Sequence, residues 1–236
     1  MLLIDADPQG SLSQGFFGSH LIECLEPHET LAALFDQRAL FATPATLPVS
    51  TPFDGISLVR ANQALAPHNA PSPETAGLAQ FVLHGLLEEL TGFDVVLIDC
   101  PPNLYLCSWN AMLAADYVLI PVPPEDFGTQ GLRAVHQAID QARRLNPKLR
   151  RLGHLVTRYD GRLLVHRSYE QRLRTLYHDG VLETVIPEAS AFKVSLACRQ
   201  PVAFHSRNTR AARLTTRLCR EILDRITART AKLNVA

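Results

Sequence analysis

Three aspartates stand where short apolar runs of the sequence end. Asp5 and Asp7 follow the run LLI near the start of the chain, and Asp99 ends the run VVLI. A carboxylate directly after a buried strand can hold Mg²⁺ through bound water while the metal bridges the phosphates of a nucleotide. Strands also end in aspartate because that residue favours turns. Two such strand ends in one chain favour a shared polar site, in which one carboxylate could orient a metal-bound or attacking water.

The elements that must position these aspartates alternate along the chain. Apolar runs typical of buried strands occupy residues 1–6, 56–60, 93–99, 117–122, 152–157 and 181–185. Helical patterns occupy residues 30–37, 72–90, 103–115, 129–145, 167–178 and 208–232. This alternation predicts a single α/β domain over residues 1–236, with a mostly parallel, doubly wound sheet and helices on both faces. Ligands bind at the carboxyl ends of the strands in such a sheet.

Local signals add detail to this prediction. Residues 7–28 contain five glycines and prolines and are expected to be mostly loop with one helical turn. Thr30 is expected to cap the helix that runs to Gln37, and Ser72, followed by a proline, is expected to cap the helix over residues 72–90. Three-to-four spacing predicts that this second helix buries Leu78, Phe81, Val82, Leu86 and Leu90.

The composition excludes several classes of protein. With 47% hydrophobic and 19% charged residues, the 236-residue chain is not expected to be disordered. No apolar run approaches the roughly 18 residues of a membrane helix, so stable membrane insertion is not expected. The acidic N-terminal sequence does not have the pattern of a signal peptide. Five cysteines without a Cys-x-x-Cys pair indicate reduced cytoplasmic thiols, not a disulfide framework or a zinc site.

The formal net charge of zero conceals two oppositely charged halves. Residues 1–142 contain 3 Lys/Arg and 16 Asp/Glu, whereas residues 143–236 contain 20 Lys/Arg and 7 Asp/Glu. One interpretation is that the basic half binds a polyanion. The other is that the two halves pair with each other or form ordinary solvated surfaces.

The C-terminal segment concentrates the positive charge. Residues 199–236 contain nine Lys/Arg and two acidic residues. A helix over residues 207–232 would align four arginines in a stripe, with apolar side chains on the opposite face. The stripe consists of Arg210, Arg213, Arg217 and Arg220, and the apolar face consists of Leu214, Leu218, Ile222 and Ile226. Such a stripe can bind DNA phosphates without sequence preference, and the alternative is a solvated helix face.

Several segments together resemble a known family. LLIDADPQGSLS, DVVLIDCPPNLYLCSWNAMLAADYVLIPV, TRYD and IPEASAFK with a later QPV occur in this order between Leu2 and about Ile226. They resemble the ParA/Soj-type partition ATPases, and MinD is a more distant relative in the same deviant Walker A class. The resemblance implies a P-loop NTPase-like fold that binds ATP with Mg²⁺ and forms an ATP-dependent homodimer. It also implies non-specific binding to nucleoid DNA in the cytoplasm and a ParB-like partner protein.

The resemblance further implies roles for single residues. Asp7, with Asp5 beside it in the switch-like acidic segment, would orient the hydrolytic water. Asp99 matches the Walker B aspartate and would hold Mg²⁺ through water. The nucleotide would contact Pro101, Thr157, Asp160 and Pro187. Arg162 lies in the family's Asp-x-Arg position, and its role is left open.

One departure from the family is as informative as the match. No Gly-x-x-x-x-Gly-Lys-Ser/Thr sequence occurs, and the first lysine is Lys148. The expected domain therefore lacks its first strand, its P-loop and its first helix, which leaves apolar surface uncovered. Without the loop's amides, lysine and hydroxyl, efficient ATP hydrolysis is not expected. A truncated gene or a miscalled start codon would explain the missing P-loop. Two alternatives to a partition ATPase remain open: a non-catalytic module that binds DNA or a partner, and a MinD-like positioning ATPase at the membrane.

Overall fold

A computed structural model describes residues 1–36, 46–124 and 128–233 of the chain. It forms an α/β structure that divides into two compact units. The first unit contains residues 1–116 and 137–149, and the second contains residues 117–136 together with the chain from residue 150 onward. The α/β class with mostly parallel strands is confirmed. The prediction of a single domain stays a prediction.

A four-stranded sheet forms the centre of the first unit. Its order is β2–β3–β1–β4, with β1 at Leu2–Asp5, β2 at Pro48–Ser50, β3 at Ser57–Val59 and β4 at Val96–Asp99. β1 runs parallel to β3 and to β4, and only β2 is antiparallel to its neighbour. All four residues of β1 are buried, as expected for a parallel strand covered on both faces. β2 was not predicted; its proline is the first residue of an edge strand, a position that tolerates proline.

Residues 7–28 contain more helix than the sequence indicates. α1 covers Ser11–Phe17 and α2 covers Ser19–Glu23, so the prediction of a loop was wrong over these residues. The glycines mark helix boundaries: Gly10 precedes α1 with a φ of 63°, and Gly18 separates the two helices with a φ of 85°. Glycine adopts these positive angles without steric cost, so it terminates a helix as readily as it forms a loop.

The helix predicted over residues 72–90 is shorter than expected. Two 3₁₀ turns, Pro73–Thr75 and Gly77–Phe81, precede α3 at Val82–Glu89. Ser72 makes no capping hydrogen bond, and the side chain of Asn110 instead accepts one from the N–H of Leu83 at 3.2 Å. Leu78 is 87% exposed, while Leu83 and Leu86 are buried. The predicted burial of Leu78 was therefore wrong, because the helical phase begins only after the 3₁₀ turns.

Thr30 caps a helical turn as predicted. Its hydroxyl accepts a hydrogen bond from the N–H of Ala32 at 3.3 Å, at the start of the 3₁₀ turn Leu31–Leu34. The predicted end of this helix, Gln37, lies outside the described residues. α4 covers Leu106–Ala114, and the core of the unit packs β1 and β3 against α3, α4 and the turn after Thr30.

The second unit is built on two parallel strands. β5 at Tyr117–Val122 pairs with β6 at Arg150–Val156. α5 spans Gly128–Ala142, and its residues 128–136 belong to this unit. α6 spans Leu164–Tyr177 and α9 spans Arg210–Leu233. The short helices α7, Ser190–Ala197, and α8, Val202–His205, were not predicted. No helix within the described ranges has both the length and the apolar character needed to cross a lipid bilayer.

The predicted strand over residues 181–185 does not form. Val181 makes an isolated bridge with His154, and the N–H groups of Leu182 and Ile186 donate to carbonyls of β6 at 2.9 Å. Side chains of α9 occupy backbone groups that a strand would use: Glu221 accepts the N–H groups of Glu183 and Thr184 at 2.7 and 2.9 Å, and Arg225 donates to the carbonyl of Val181 at 2.9 Å. This part of the prediction was wrong because a distant helix satisfies the local backbone.

Candidate functional site

The first unit brings two of the predicted aspartates side by side. β1 and β4 are adjacent and parallel, and their register places Asp5 opposite Asp99. The chain stays paired beyond this point, because the N–H of Ala6 donates to the carbonyl of Asp99 at 2.8 Å. The carboxyl ends of the two strands therefore form one edge, with Asp7 two residues beyond Asp5.

Asp5 is buried and its carboxylate is occupied by neighbouring donors. Oδ2 accepts hydrogen bonds from the N–H and the hydroxyl of Ser13 at 2.8 and 2.7 Å, and Oδ1 accepts the N–H of Asp7 at 3.2 Å. Burial raises the pKa of Asp5 to about 6, although the hydrogen bonds from Ser13 and Asp7 act in the opposite direction. Asp5 thus ties β1 to α1 and positions the backbone of Asp7. Its part in catalysis stays a prediction.

Asp7 is partly buried and has a freer carboxylate. Oδ1 accepts the N–H of Gln9 at 2.9 Å, and the backbone carbonyl of Asp7 accepts the N–H of Gly10 at 2.9 Å. Within the part of the chain that the structure describes, Oδ2 of Asp7 accepts no hydrogen bond. The turn also requires Gly10, since a Cβ there would lie 2.5 Å from the carbonyl oxygen of Ala61. This geometry holds one oxygen of Asp7 in place and leaves the other available.

Asp99 keeps contact with solvent, yet its pKa is raised. Desolvation by the surrounding protein is the largest cause, the negative charge of Asp7 adds to it, and the N–H of Cys100 acts in the opposite direction. A cation at this edge would relieve the repulsion between the carboxylates. Over residues 1–36, 46–124 and 128–233, no group of three or more His, Cys, Asp and Glu side chains can hold a metal ion by itself. Water and phosphate oxygens would have to complete the coordination, as is usual for Mg²⁺.

The turn after β4 is fixed by a buried serine. Ser108 on α4 donates its hydroxyl to the carbonyl of Asn103 at 2.6 Å and also approaches the carbonyl of Pro101 at 3.3 Å. Pro101 is buried. It belongs to the first unit with the aspartates, whereas the other three predicted nucleotide contacts belong to the second unit.

In the second unit, Thr157, Asp160 and Pro187 lie on two adjacent segments. The N–H of Thr157 donates to the carbonyl of Val122 at 3.1 Å, which continues the pairing of β5 and β6. Tyr159 forms an isolated parallel bridge with Pro187. The structure therefore places the segment after β6 beside the Ile-Pro segment. Their contact with a nucleotide stays a prediction.

Asp160 pairs with Arg162, the residue whose role the sequence left open. Its two carboxylate oxygens accept hydrogen bonds from Arg162, the shortest at 2.7 Å from Nη2. The side-chain and backbone hydrogen bonds from Arg162 lower the pKa of Asp160 to about 2. The spacing Asp-x-Arg was visible in the sequence, but it did not show that the two side chains pair with each other.

The predicted arginine stripe is exposed on α9. Arg210, Arg213, Arg217 and Arg220 all face solvent. Arg217 forms an ion pair with Glu183 at 3.2 Å, and Arg213 donates to the carbonyl of Asn208 at 2.7 Å. Among the described residues, Arg210 and Arg220 make no hydrogen bond or ion pair. The stripe thus presents four cations, of which one is partly neutralised.

Two further arginines of α9 point inward, which the sequence analysis missed. Arg225 donates to the carbonyls of Asp179 and Val181, and Arg229 donates to those of Arg151 and Leu152. They lie three and seven positions after Ile222, on the apolar side of the helix, and this periodicity was a signal that could have separated them from the stripe. They anchor α9, while the stripe remains exposed.

Comparison with known proteins agrees with these features. A family described as an AAA domain matches residues 1–151. Soj, a chromosome-partitioning ATPase of Thermus thermophilus, is 31% identical over 233 residues, which cover 96% of this chain and 84% of Soj. The chromosome partitioning protein ParA of Caulobacter vibrioides is 30% identical over 236 residues, covering 98% of this chain and 85% of ParA.

A solved structure has a similar fold. The structure described as cobyrinic acid a,c-diamide synthase of Mycobacterium smegmatis, with a bound ATP analogue and magnesium, is 33% identical and superimposes with a TM-score of 0.66. The match covers 80% of this chain and 72% of that one. Extensive similarity to Soj and ParA, together with the aspartates at the ends of β1 and β4, shows that this chain belongs to the ParA/Soj family of partition ATPases.

Proposed function

We propose that this chain works in DNA partitioning, with a Mg²⁺–ATP site at the ends of its parallel strands and a DNA-binding surface on α9. The observation that carries the nucleotide part is the pairing of β1 with β4, which places Asp5 and Asp99 at one edge with Asp7 just beyond. The raised pKa of Asp99 indicates a site that a cation would stabilise. The bound ATP analogue and magnesium in the Mycobacterium smegmatis structure support the same ligands.

Within this proposal each predicted site residue has a distinct task. Asp99 would hold Mg²⁺ through water, and the available oxygen of Asp7 would orient the attacking water, with Asp5 fixing the backbone of Asp7. The bound metal would neutralise phosphate charge. On the second unit, Thr157, Asp160 and Pro187 would contact the base, and on the first unit Pro101 would shape the turn next to the metal.

We further propose that these 236 residues hydrolyse ATP poorly by themselves. They contain no Walker A sequence to cradle the phosphates. In the described part of the chain β4 is the edge of its sheet, and its Leu97 is 52% exposed. This exposed edge supports the expectation that the sheet carrying Asp5 and Asp99 lacks a strand next to β4.

Calorimetry of ATP binding to the purified chain, with and without Mg²⁺, tests the nucleotide site. Tight ATP binding that requires Mg²⁺ and that Asp99→Asn weakens would support the site and contradict the non-catalytic alternative. A chain that binds no nucleotide would favour that alternative, in which the family's fold serves DNA or partner binding only. A matched Asp54→Asn variant, which changes a carboxylate in the exposed turn before β3, controls for the loss of one negative charge.

The DNA-binding part of the proposal rests on the exposed stripe. Arg210, Arg213, Arg217 and Arg220 lie on one side of a helix that Arg225 and Arg229 anchor from the other side. Each phosphate contact releases condensed counterions, so affinity should fall as salt rises, with a slope of about 0.9 per contact. The doubly substituted Arg213→Glu, Arg217→Glu protein should lose DNA retention and show a shallower salt dependence.

A control of equal charge distinguishes the stripe from general electrostatics. Arg167→Glu, Arg172→Glu reverses two exposed arginines on α6 and changes the net charge by the same amount. We expect this control to retain most of its DNA binding. Equal losses in the two double variants would contradict a specific role for α9, and unchanged retention in the α9 variant would exclude it.

We also propose an ATP-dependent homodimer that meets a ParB-like partner on nucleoid DNA in the cytoplasm, as the ParA and Soj relatives suggest. Light scattering with and without ATP tests the dimer. No observation favours the MinD-like alternative, and liposome co-sedimentation would reveal it if the chain bound to membranes.

A further inference from the structure

The outer edge of β4 is a strand edge with free backbone groups. Among the described residues, β4 pairs with β1 on one side and with no strand on the other. The carbonyls of Val95 and Asp99 accept N–H groups from the β1 segment at 2.9 and 2.8 Å. Because the backbone groups of successive strand residues point to opposite edges, the N–H and C=O groups of Val96 and Ile98 point away from β1.

This edge is open and has none of the usual protection. No described residue bonds the backbone of Val96, and the carbonyl of Ile98 has only a weak contact with the thiol of Cys100 at 3.8 Å. Native sheets protect such edges with proline, lysine or a bulge. The opposite edge of the same sheet follows this rule, since β2 begins with Pro48. β4 contains no proline, lysine or bulge, so its edge can pair with a further strand.

The side chains along this edge are apolar on both faces of the sheet. Val96 and Ile98 pack against the hydrophobic core of the first unit. On the other face, Val95 is 40% exposed and Leu97 is 52% exposed. A strand paired with β4 would cover part of these two side chains. It should therefore carry apolar residues on both of its faces, as the strands of parallel sheets do.

The edge carries negative charge and has no counter-charge in its own segment. Asp99 ends β4 opposite Asp5, with Asp7 just beyond. Asp94 precedes β4, and residues 91–104 contain no lysine or arginine. A second copy of this edge would add carboxylates and neutralise none, which disfavours self-association. A partner segment with a basic residue would instead place a cation where three carboxylates lie, at the carboxyl end of β4.

We propose that the outer edge of β4 binds an extended segment of a separate polypeptide, with apolar residues on both faces and a lysine or arginine beside Asp99. The segment would pair with the N–H and C=O groups of Val96 and Ile98 and add a strand to the four-stranded sheet. It would also cover Leu97. This partner goes beyond the proposed function, because its binding requires neither nucleotide nor DNA.

Two synthetic peptides test the edge on the full chain. Acetyl-Thr-Val-Ile-Val-Thr-Lys-amide and acetyl-Lys-Thr-Val-Ile-Val-Thr-amide carry the lysine at opposite ends, so that both strand directions are tested. At a peptide concentration of about ten times its Kd, exchange of the Val96 and Ile98 amides, followed by NMR, should slow about tenfold. The amides of β2 should not change. Absence of protection with both peptides, or equal protection of β2, would overturn the proposal.

Altered peptides test the backbone pairing and the charge. Proline in place of the isoleucine removes a backbone donor, so this peptide should bind more weakly. Glutamate in place of the lysine should also weaken binding to the wild type, and Asp99→Lys should reverse the preference between the two peptides. Equal binding of the proline peptide would contradict strand pairing. A preference for lysine that persists in Asp99→Lys would contradict the position assigned to the cation.

A pair of matched variants locates the site without touching the carboxylates. Leu97→Lys introduces the usual protection of an edge strand at an exposed position, and it should bind the lysine peptides about tenfold more weakly. Leu78→Lys makes the same change at another exposed leucine of the first unit and should bind them like the wild type. Equal binding by both variants would overturn the proposal. Since these measurements contain no ATP and no DNA, a negative result here is distinct from failure of the nucleotide or DNA proposals.

Discussion

Ser13 donates both its backbone N–H and its hydroxyl to one oxygen of Asp5, at 2.8 and 2.7 Å, and the same hydroxyl accepts the N–H of Ala61 at 2.9 Å. This contact joins three segments, the end of β1, the first turn of α1 and the chain after β3. All three partners are buried. One serine hydroxyl therefore holds the backbone that carries Asp7.

Loss of the Ser13 hydroxyl should lower the free energy of unfolding. Ser13→Ala leaves the buried N–H of Ala61 without its acceptor and removes a donor from Asp5, so we expect a loss of about 1–3 kcal/mol in the free energy of unfolding. Urea denaturation followed by circular dichroism measures it. Ser19→Ala, which removes an exposed hydroxyl at the start of α2, should change the free energy by much less. Equal effects of the two substitutions would contradict the role assigned to Ser13.

Asp5 should give the first unit a specific pH dependence. Its pKa is raised from 3.8 to about 6, so its stabilising contribution is present in full below pH 3.8 and is lost as pH rises through 6. A shift of that size corresponds to about 3 kcal/mol. The difference in unfolding free energy between the wild type and Asp5→Asn should change by that order between pH 4 and pH 7. A constant difference over this range would show that Asp5 is not perturbed by burial.

Arg162→Ala should raise the pKa of Asp160. The bidentate bond from Arg162 holds that pKa at about 2, and without it the carboxyl should titrate close to its ordinary value. Carboxyl NMR titration measures the change. Arg217→Ala, which removes a different exposed ion pair, should leave the pKa of Asp160 unchanged. Because the pair is exposed, thermal unfolding of Arg162→Ala should closely resemble that of the wild type.

Gly153→Ala should destabilise the second unit. The residue has a φ of 152°, and a Cβ would lie 2.7 Å from Cδ1 of Leu182 and 2.9 Å from the carbonyl oxygen of Gly180. We expect a loss of about 1–3 kcal/mol, as for overpacking elsewhere. Gly85→Ala provides the contrast: it lies within α3 with open space around it, and should stabilise that helix by about 0.5–1 kcal/mol. The same sign for both substitutions would contradict the packing described at Gly153.

Much of the fold was predictable because its signals are local. The apolar runs of β1, β4, β5 and β6 and the periodic pattern of α9 depend on residues close together in sequence, and the structure confirms these elements. The predicted strand over residues 181–185 failed for the opposite reason. Glu221 and Arg225, about forty residues away, satisfy its backbone, and nothing within the segment reveals them.

The features of the candidate site also fall into those that the sequence predicts and those that only folding reveals. The sequence by itself determined the family, the aspartates at two strand ends, the missing Walker A sequence and the spacing of the four stripe arginines. Only the tertiary structure decided that Asp5 is buried under Ser13, that Arg162 holds Asp160, and that Arg225 and Arg229 face inward. The physical reason is that burial and hydrogen bonding of a side chain depend on segments brought close by folding, while strand ends and helical stripes follow from the periodicity of the chain itself.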